Sequence, residues 1–158
     1  MTGVLIIDKP ADYTSFDVVA VCRRLCHERK IGHTGTLDPM ATGVLPLLLG
    51  KATRAASLLE DTDKTYEAGF RLGLATDTED VTGKVLETDE SPVSRTMLEK
   101  VLPQFRGEIM QVPPMYSAVK VNGQPLYKAA RQGITVERKA RPIEIYSIRY
   151  EGSPAPGE

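Results

Sequence analysis

Residues 32–46, GHTGTLDPMATGVLP, concentrate side chains that could do chemistry. Asp38 is the carboxylate of this stretch and His33 its imidazole, among three glycines, three threonines and two prolines. A single positioned carboxylate can act as a general base or as a nucleophile. Pro39 restricts its own backbone and that of Asp38, which would fix the direction of the acid. An Asp before Pro is also a common turn former, so the residues alone leave both interpretations open.

Three familiar classes of site match the surrounding sequence poorly. Gly50-Lys51 follows an apolar run as a phosphate-loop lysine would, but Ala52 and Leu45 replace two required residues of that motif. GHTG fits the clamp loop of a KH domain over four residues, a match that chance often produces. The chain has no Gly-x-Ser-x-Gly, and neither histidine has an obvious nucleophile beside it, which disfavours a hydrolase.

A metal site is a further alternative, since Cys22, Cys26, His27 and His33 could be grouped as ligands. Zinc sites usually draw their ligands from two separate elements, and no second pair of ligands exists here. Cysteines four residues apart on one helix suit a disulfide badly. We therefore expect packed, reduced thiols and no metal.

Composition indicates a globular chain without a membrane span. The 158 residues are 41% hydrophobic and 26% charged, with a net charge of −1. No apolar run approaches the roughly 20 residues of a transmembrane helix, and the N-terminus does not resemble a signal peptide, so a cytoplasmic location is expected. Because no global excess of positive charge exists, any nucleic-acid binding must use a local basic patch.

Regular elements are predicted on both sides of the loop. The apolar run ended by Pro10 predicts a buried strand over residues 3–8. Thr14 with Asp17 three residues later is typical of a capping box, which predicts a helix over residues 15–30. After the loop, GVLPLLL predicts a short strand, and a helix capped by Thr53 should follow it.

The second half alternates strands and helices without a regular repeat. Strict alternation over residues 65–74, with Tyr66 and Phe70 on one face, predicts the clearest strand of the chain. Further elements are a partner strand in GKVLET, a helix opened by Ser94, a hairpin at Asn122-Gly123, a helix ended by Gly133, a strand in RPIEIYSIRYEG and an unstructured SPAPGE tail. The class predicted is α+β, with a mixed, largely antiparallel sheet flanked by helices.

The loop and three later segments together resemble one known family. GHTGTLDPMATGVLPLLLGKATR is similar to the catalytic motif of the TruB family of tRNA pseudouridine synthases. KTYEAGFRLGLATDTEDVTG, FRGEIMQVPPMYSAVKVNGQPLYKAARQG and ERKARPIEI resemble later motifs of that family in the same order. The resemblance covers roughly residues 3–150. It implies an incomplete pseudouridine synthase fold, with residues 1–152 as the N-terminal portion of a catalytic domain and 153–158 as a disordered tail.

The resemblance also implies an activity and a set of site residues. Such enzymes convert uridine to pseudouridine without metal or cofactor, here in the T loop of tRNA at position 55. Asp38 would supply the catalytic carboxylate, as nucleophile or as base. Tyr66 would stack on the target base, and His33 would help to hold the everted nucleotide. Gly32, Gly35 and Thr36 join the substrate-binding set, since glycine lets RNA approach the backbone closely.

Contacts to RNA phosphates are expected from basic side chains. The candidates are Lys9, Arg24, Lys30, Lys64, Lys128, Arg131, Arg138, Lys139 and Arg141, of which the last three form the densest cluster. We expect half or fewer of them to touch RNA.

Members of this family continue beyond the matched region. Their second half carries a Lys-Gly-Thr-Tyr-type strand with an arginine that pairs the catalytic aspartate, and many add a PUA domain; neither is recognised in residues 1–158. The chain alone is therefore expected to be inactive or nearly so, and to associate with itself through an exposed sheet edge or be marginally stable. Two alternatives stay open, a guide-RNA-directed, dyskerin-like enzyme and a non-catalytic RNA-binding or folding module.

Overall fold

The computed structural model describes residues 1–59, 63–117, 119–121 and 123–153. The chain divides into two compact units, Met1–Tyr66 and Glu67–Glu158. All strand pairs in both units are antiparallel, and helices accompany them. The predicted α+β class is confirmed.

The first unit is built on a three-stranded sheet. Its strands are β1 (Gly3–Lys9), β2 (Ile31–His33) and β3 (Gly43–Leu49), in the order β1-β3-β2. The strands predicted on both sides of the loop are confirmed, but β1 is not buried as predicted, because Val4 and Ile6 are exposed. The short strand β2 was not predicted, because three residues are too few to show a period-2 pattern.

Helix α1 (Ser15–Leu25) connects β1 to β2. Its predicted capping box is confirmed: the Asp17 N–H donates to Thr14 Oγ1 at 3.1 Å, and the Thr14 N–H donates to Asp17 Oδ2 at 2.9 Å. The predicted end at residue 30 is wrong. The helix ends five residues earlier because the backbone turns left-handed at His27, where φ is 48°.

The core of this unit lies between α1 and the sheet. Its buried members are Val18, Val19, Cys22, Ile31, Leu45, Leu47 and Leu49. Leu37, from the loop between β2 and β3, packs against this cluster. On the paired strands β1 and β3, the side chains of Val4, Ile6 and Val44 are exposed, because alternate side chains of a strand point away from the core.

The helix predicted after β3 is a 3₁₀ helix over Gly50–Leu59. It begins at Gly50, which has a left-handed φ of 57°, and the Gly50 N–H donates to the Lys30 carbonyl at 2.7 Å. The predicted cap at Thr53 is wrong, since the Thr53 hydroxyl lies inside the helix and donates to the Gly50 carbonyl at 2.8 Å.

In its described residues, the second unit contains three two-stranded sheets. They pair β4 (Leu74–Thr76) with β5 (Val85–Thr88), β6 (Gly107–Gln111) with β9 (Arg141–Ile145), and β7 (Lys120–Val121) with β8 (Gln124–Pro125). Three short helices accompany them, α2 (Arg95–Val101), a 3₁₀ turn (Leu102–Phe105) and α3 (Leu126–Ala130).

Several elements predicted for this unit are confirmed, but α3 ends at Ala130, before the predicted Gly133, and the strand predicted over RPIEIYSIRYEG covers only Arg141–Ile145. Ser94 caps α2, accepting the Met97 N–H at 3.2 Å, and the β7-β8 hairpin pairs as expected around Gly123. Strand β6 was not predicted. Asn122 and most of the predicted tail, residues 154–158, lie outside the described residues.

The strand predicted over residues 65–74 is wrong for residues 65–73. The chain there has no regular secondary structure, and strand pairing begins only at Leu74. Tyr66 and Phe70, predicted to face inward, are 66% and 71% exposed. Alternation shows which residues would share a face, but a strand also needs a hydrogen-bonding neighbour.

No helix in the described part of the chain is long and apolar enough to cross a membrane.

Candidate active site around Asp38

Residues 34–42, here called the Asp38 loop, connect the antiparallel strands β2 and β3. The loop leaves the sheet where the Thr34 N–H donates to the Pro46 carbonyl at 3.2 Å. Asp38 lies in its middle with an exposed side chain. The Asp38 carbonyl accepts the Ala41 N–H at 3.0 Å, which closes a turn immediately after the acid.

The backbone before Asp38 is held by a buried serine. Ser15, the first residue of α1, is 3% exposed. Its Oγ accepts the Leu37 N–H at 2.9 Å and donates to the Leu37 carbonyl at 3.2 Å. One hydroxyl therefore satisfies both polar backbone groups of the residue that precedes the acid.

The backbone after Asp38 is held by two donors. The Pro39 carbonyl accepts the Asp12 N–H at 2.8 Å and a hydrogen bond from Lys9 Nζ at 3.2 Å. The loop has no regular secondary structure. Even so, the residues on both sides of Asp38 are hydrogen-bonded to residues 9–15, which run from the end of β1 to the start of α1. The backbone from which the exposed Asp38 side chain departs is therefore held on both sides.

Lys9 occupies a different place from the one predicted. Its side chain is fully buried, and its Nζ donates to the carbonyls of Pro10 at 2.9 Å, Tyr13 at 2.6 Å and Pro39 at 3.2 Å. An ammonium has three donors, and all three are used. Lys9 therefore holds the Asp38 loop through a buried hydrogen bond. It is removed from the set of predicted RNA phosphate contacts.

His33 ends β2, directly before the loop, and is half-buried. Its Nδ1 is buried and has no hydrogen-bond partner in the structure. Leaving such an atom unsatisfied costs about 1–3 kcal/mol, and buried polar groups of this kind often mark a site. The described residues therefore leave this ring nitrogen without a hydrogen-bond partner.

The glycines of the loop region are not demanded by the packing of the protein. A Cβ built on Gly32 or on Gly35 would meet no atom within 4 Å. Gly43 differs, because its φ of 116° suits glycine alone. Open space therefore lies beside Gly32 and Gly35, and Thr36 between them and Asp38 is exposed.

Tyr66 and Lys64 lie in the irregular segment at the end of the first unit, and both are exposed. Two cavities of about 260 and 540 Å³ are lined only by residues of the second unit, so neither contains Asp38 or Tyr66. Of the residues around Asp38, Lys9 holds the following residue through the Pro39 carbonyl, and Ser15 holds the preceding residue, Leu37. Ser15 was missed, although a serine directly after a capping threonine is a polar residue at a position that α1 buries.

The smaller cavity, here called the basic cavity, gathers several predicted RNA contacts. Arg138, Lys139 and Arg141 line it, and Arg138 is held by a hydrogen bond to the Pro113 carbonyl at 3.1 Å. Lys120 and Glu137 line it as well, with Val119 and Val121. Lys120 was missed, because nothing in the local sequence indicates that its hairpin lies beside residues 137–141.

The remaining predicted cations are distributed more widely. Lys128 and Arg131 belong to α3 and its C-terminus and are exposed, with the Arg131 guanidinium 5.4 Å from the Tyr127 ring centre. Arg24 and Lys30 are exposed in the first unit.

The proposed ligand cluster of Cys22, Cys26, His27 and His33 does not assemble. Among the residues that the structure describes, no group of three or more His, Cys, Asp or Glu side chains could hold a metal ion. Cys22 and Cys26 are free thiols. Burial raises the pKa of the Cys22 thiol, and the neighbouring Cys26 adds to that rise, which keeps it protonated.

Comparison with known proteins identifies the class to which this fold and loop belong. The sequence model of the TruB family pseudouridylate synthase, N-terminal domain, matches residues 23–156. The chain belongs to this family.

Individual relatives agree with that assignment. The chain is 54% identical over 152 residues to tRNA pseudouridine synthase B of Geotalea uraniireducens (strain Rf4), covering 96% of this chain and 49% of that protein. It is 50% identical over 154 residues to tRNA pseudouridine synthase B of Actinobacillus pleuropneumoniae serotype 5b (strain L20), covering 98% and 50%. This chain therefore spans about half the length of these relatives.

Among solved structures, the chain resembles one from the crystal structure of a Cbf5-Nop10-Gar1 complex. The TM-score is 0.57 at 29% identity, over 95% of this chain and 36% of that one. The likeness extends through both units of the sequence.

Proposed function

We propose that this chain carries the catalytic aspartate of a tRNA pseudouridine synthase, and that Asp38 is that residue. The reaction breaks the bond between N1 of uracil and C1′ of its ribose, turns the base, and joins C5 to C1′, while the proton on C5 is released to water and N1 takes up a proton. One carboxylate near C1′ can serve it, by attacking that carbon or by removing a neighbouring sugar proton. No metal or cofactor enters the proposal.

The observation that carries this proposal is the backbone geometry of the Asp38 loop in a chain of this family. Asp38 is exposed, while Leu37 and Pro39 on either side are each held by buried hydrogen-bond partners. A turn former of no further importance would not need two buried side chains, Ser15 and Lys9, to fix its neighbours. A catalytic group does, because misplacement by about 1 Å can cost on the order of 100-fold in rate.

The substrate proposed is uridine 55 in the T stem-loop of tRNA, in the cytoplasm. The names of relatives 50–54% identical to this chain support tRNA over a guide-directed assembly, since the likeness to the Cbf5 chain is only 29%. The target uridine would be swung out of its stack to reach Asp38. Tyr66 would then stack on it, and His33 Nδ1 would gain the partner it lacks.

Phosphate contacts are proposed chiefly for the basic cavity. Arg138, Lys139, Arg141 and Lys120 place four cations against one acid, Glu137, around a single concavity. Lys64, Lys128 and Arg131 are exposed and are kept as further candidates. Lys9 is not among them.

Release of tritium from C5 of uracil in labelled tRNA tests the activity. The assay is run on the 158-residue chain and on the same chain joined to the remaining half of the Geotalea relative. We expect turnover by the joined protein, and little or none by the 158-residue chain, which spans about half of that relative. Asp38→Asn in the joined protein should abolish release but leave tRNA binding within about 3-fold, because the two side chains are nearly isosteric.

Two outcomes would count against the proposal. Release that survives Asp38→Asn would remove the catalytic role from this residue. Binding of tRNA without any release by the joined wild-type protein would favour the RNA-binding or folding module.

Self-association of the 158-residue chain is a further part of the proposal. Strands β1 and β2 are the edges of their sheet, and Val4, Ile6 and Val44 leave an exposed apolar face beside the β1 edge. Sedimentation at increasing concentration should show dimers or larger species. A monomer at all concentrations would contradict this part alone.

A further inference from the structure

The hydroxyl of Ser15 makes two hydrogen bonds to the backbone of Leu37, the residue before the proposed catalytic acid. It bonds the N–H of Leu37 at 2.9 Å and the carbonyl of Leu37 at 3.2 Å, across 22 residues of sequence. Two adjacent strands exchange this same pair of bonds between backbones. At Leu37, the Ser15 side chain makes the two hydrogen bonds that the backbone of an adjacent strand would otherwise make.

This replacement has a consequence for Asp38. A strand beside Leu37 would continue past it and cover Asp38, whereas a serine side chain ends at Leu37. Ser15 is 3% exposed, so water does not compete for its hydroxyl, and it is the first residue of α1, whose start is fixed by the Thr14 capping box. The position of Leu37 is therefore fixed relative to α1, a helix that packs on the core.

We propose that Ser15 is a positioning residue for Asp38, acting through the backbone of Leu37. This inference rests on the proposed function, since it assigns Ser15 a part in directing the proposed catalytic carboxylate. Ser15 touches no substrate in this account. Its hydroxyl fixes the peptide from which the Asp38 side chain departs, so its loss should lower the rate of the chemical step and leave RNA affinity unchanged.

Thr14→Ala offers a matched control. Thr14 is adjacent to Ser15 and its hydroxyl also stabilises the start of α1, but it bonds Asp17 and not Leu37. Any effect that comes only from weakening α1 should appear in Thr14→Ala as well. Ser15→Thr keeps the hydroxyl and serves as the conservative variant.

The first measurement uses the 158-residue chain and needs no activity. Amide hydrogen exchange at Leu37 should be about 10-fold or more faster in Ser15→Ala than in the unmodified chain, because the N–H loses its buried acceptor. Thr14→Ala and Ser15→Thr should stay within about 3-fold of it. Equal acceleration in Ser15→Ala and Thr14→Ala would overturn the inference. If Ser15→Ala does not fold, Ser15→Cys, of nearly the same size and weaker in hydrogen bonding, replaces it.

The second measurement uses the protein joined to the remaining half of its relative. Ser15→Ala should lower kcat for tritium release by about 10- to 100-fold with KM unchanged, Thr14→Ala should lower it by less than about 3-fold, and Ser15→Thr should recover most of the loss. Equal kcat values for Ser15→Ala and Thr14→Ala would overturn the inference while the proposed function stands.

Failure of the proposed function gives a different result. The joined wild-type protein would then release no tritium, or Asp38→Asn would release it normally. In that case the positioning role is overturned as well, and the exchange data would show only that Ser15 holds Leu37.

Discussion

Two irregular segments of this chain carry predicted site residues, and the structure treats them in opposite ways. The Asp38 loop has no strand or helix, yet buried groups hold its backbone on both sides of the acid. Residues 65–73, here called the Tyr66 segment, have a strict alternating pattern, yet they form no strand and expose Tyr66 and Phe70. Regular pattern and fixed position are therefore separate properties. A loop becomes fixed when its peptide groups find buried partners, and a strand forms when its peptide groups find a neighbour.

The largest effect on this contrast is expected from Lys9→Met. The change removes the donor shared by the carbonyls of Pro10, Tyr13 and Pro39 and should lower the free energy of unfolding by about 2 kcal/mol. Urea denaturation followed by circular dichroism measures it. Lys30→Met, at an exposed position, is the control and should change stability by less than about 0.5 kcal/mol. If both variants are equally stable, the loop is not held from inside.

Tyr66→Ala should act on the other side of the contrast. Because the side chain is 66% exposed, its removal should leave the free energy of unfolding within about 0.5 kcal/mol of the original. Binding of the T stem-loop by the joined protein should weaken by about 1–3 kcal/mol through loss of base stacking, and Tyr66→Phe should keep most of the affinity. A large loss of stability with unchanged RNA binding would show a core role for Tyr66 instead.

The salt dependence of the same binding separates stacking from phosphate contacts. Tyr66→Ala should leave the slope of log affinity against log salt unchanged, whereas Arg138→Gln in the basic cavity should reduce it by about one unit. An unchanged slope in Arg138→Gln would remove this arginine from the phosphate contacts.

The smallest effect is expected from pH at the start of α1. Hydrogen bonds from the Thr14 hydroxyl and backbone N–H lower the pKa of the Asp17 carboxyl below its usual value of about 3.9. A lowered folded-state pKa contributes stability that is present above the unfolded pKa and is lost as pH falls through the folded value. The original chain should therefore lose slightly more stability between pH 7 and pH 3 than Asp17→Asn, as measured by urea denaturation at each pH. Equal losses would show that the capping carboxylate does not titrate as the contacts indicate.

What the sequence could predict depended on how local the interaction is. Thr14 and Asp17 are three residues apart, so their capping box was visible in the pattern. The early end of α1 was not, because His27 adopts a left-handed φ without the glycine that would indicate it. The proposed catalytic acid, Asp38, was predicted from residue types together with the family resemblance.

The supports of that acid were not predictable in the same way. Lys9 was interpreted as an RNA contact because it is charged, and its true position depends on a carbonyl 30 residues away. Ser15 and Leu37 are 22 residues apart. The Tyr66 segment shows the reverse case, where a convincing local pattern lacked the neighbouring strand that would have made it a strand.

Pro46 explains where the sheet gives way to the loop. It lies in the middle strand β3, directly before Leu47, which pairs with His33. Its carbonyl accepts the Thr34 N–H. The amide proton that would return a bond to Thr34 does not exist in proline, and N–H and C=O of one residue point to the same neighbour in an antiparallel ladder. Strand β2 therefore lacks one ladder hydrogen bond at Thr34, the position directly after its last paired residue, His33. The missing hydrogen thus coincides with the point at which residues 34–42 leave the sheet as the loop that presents Asp38.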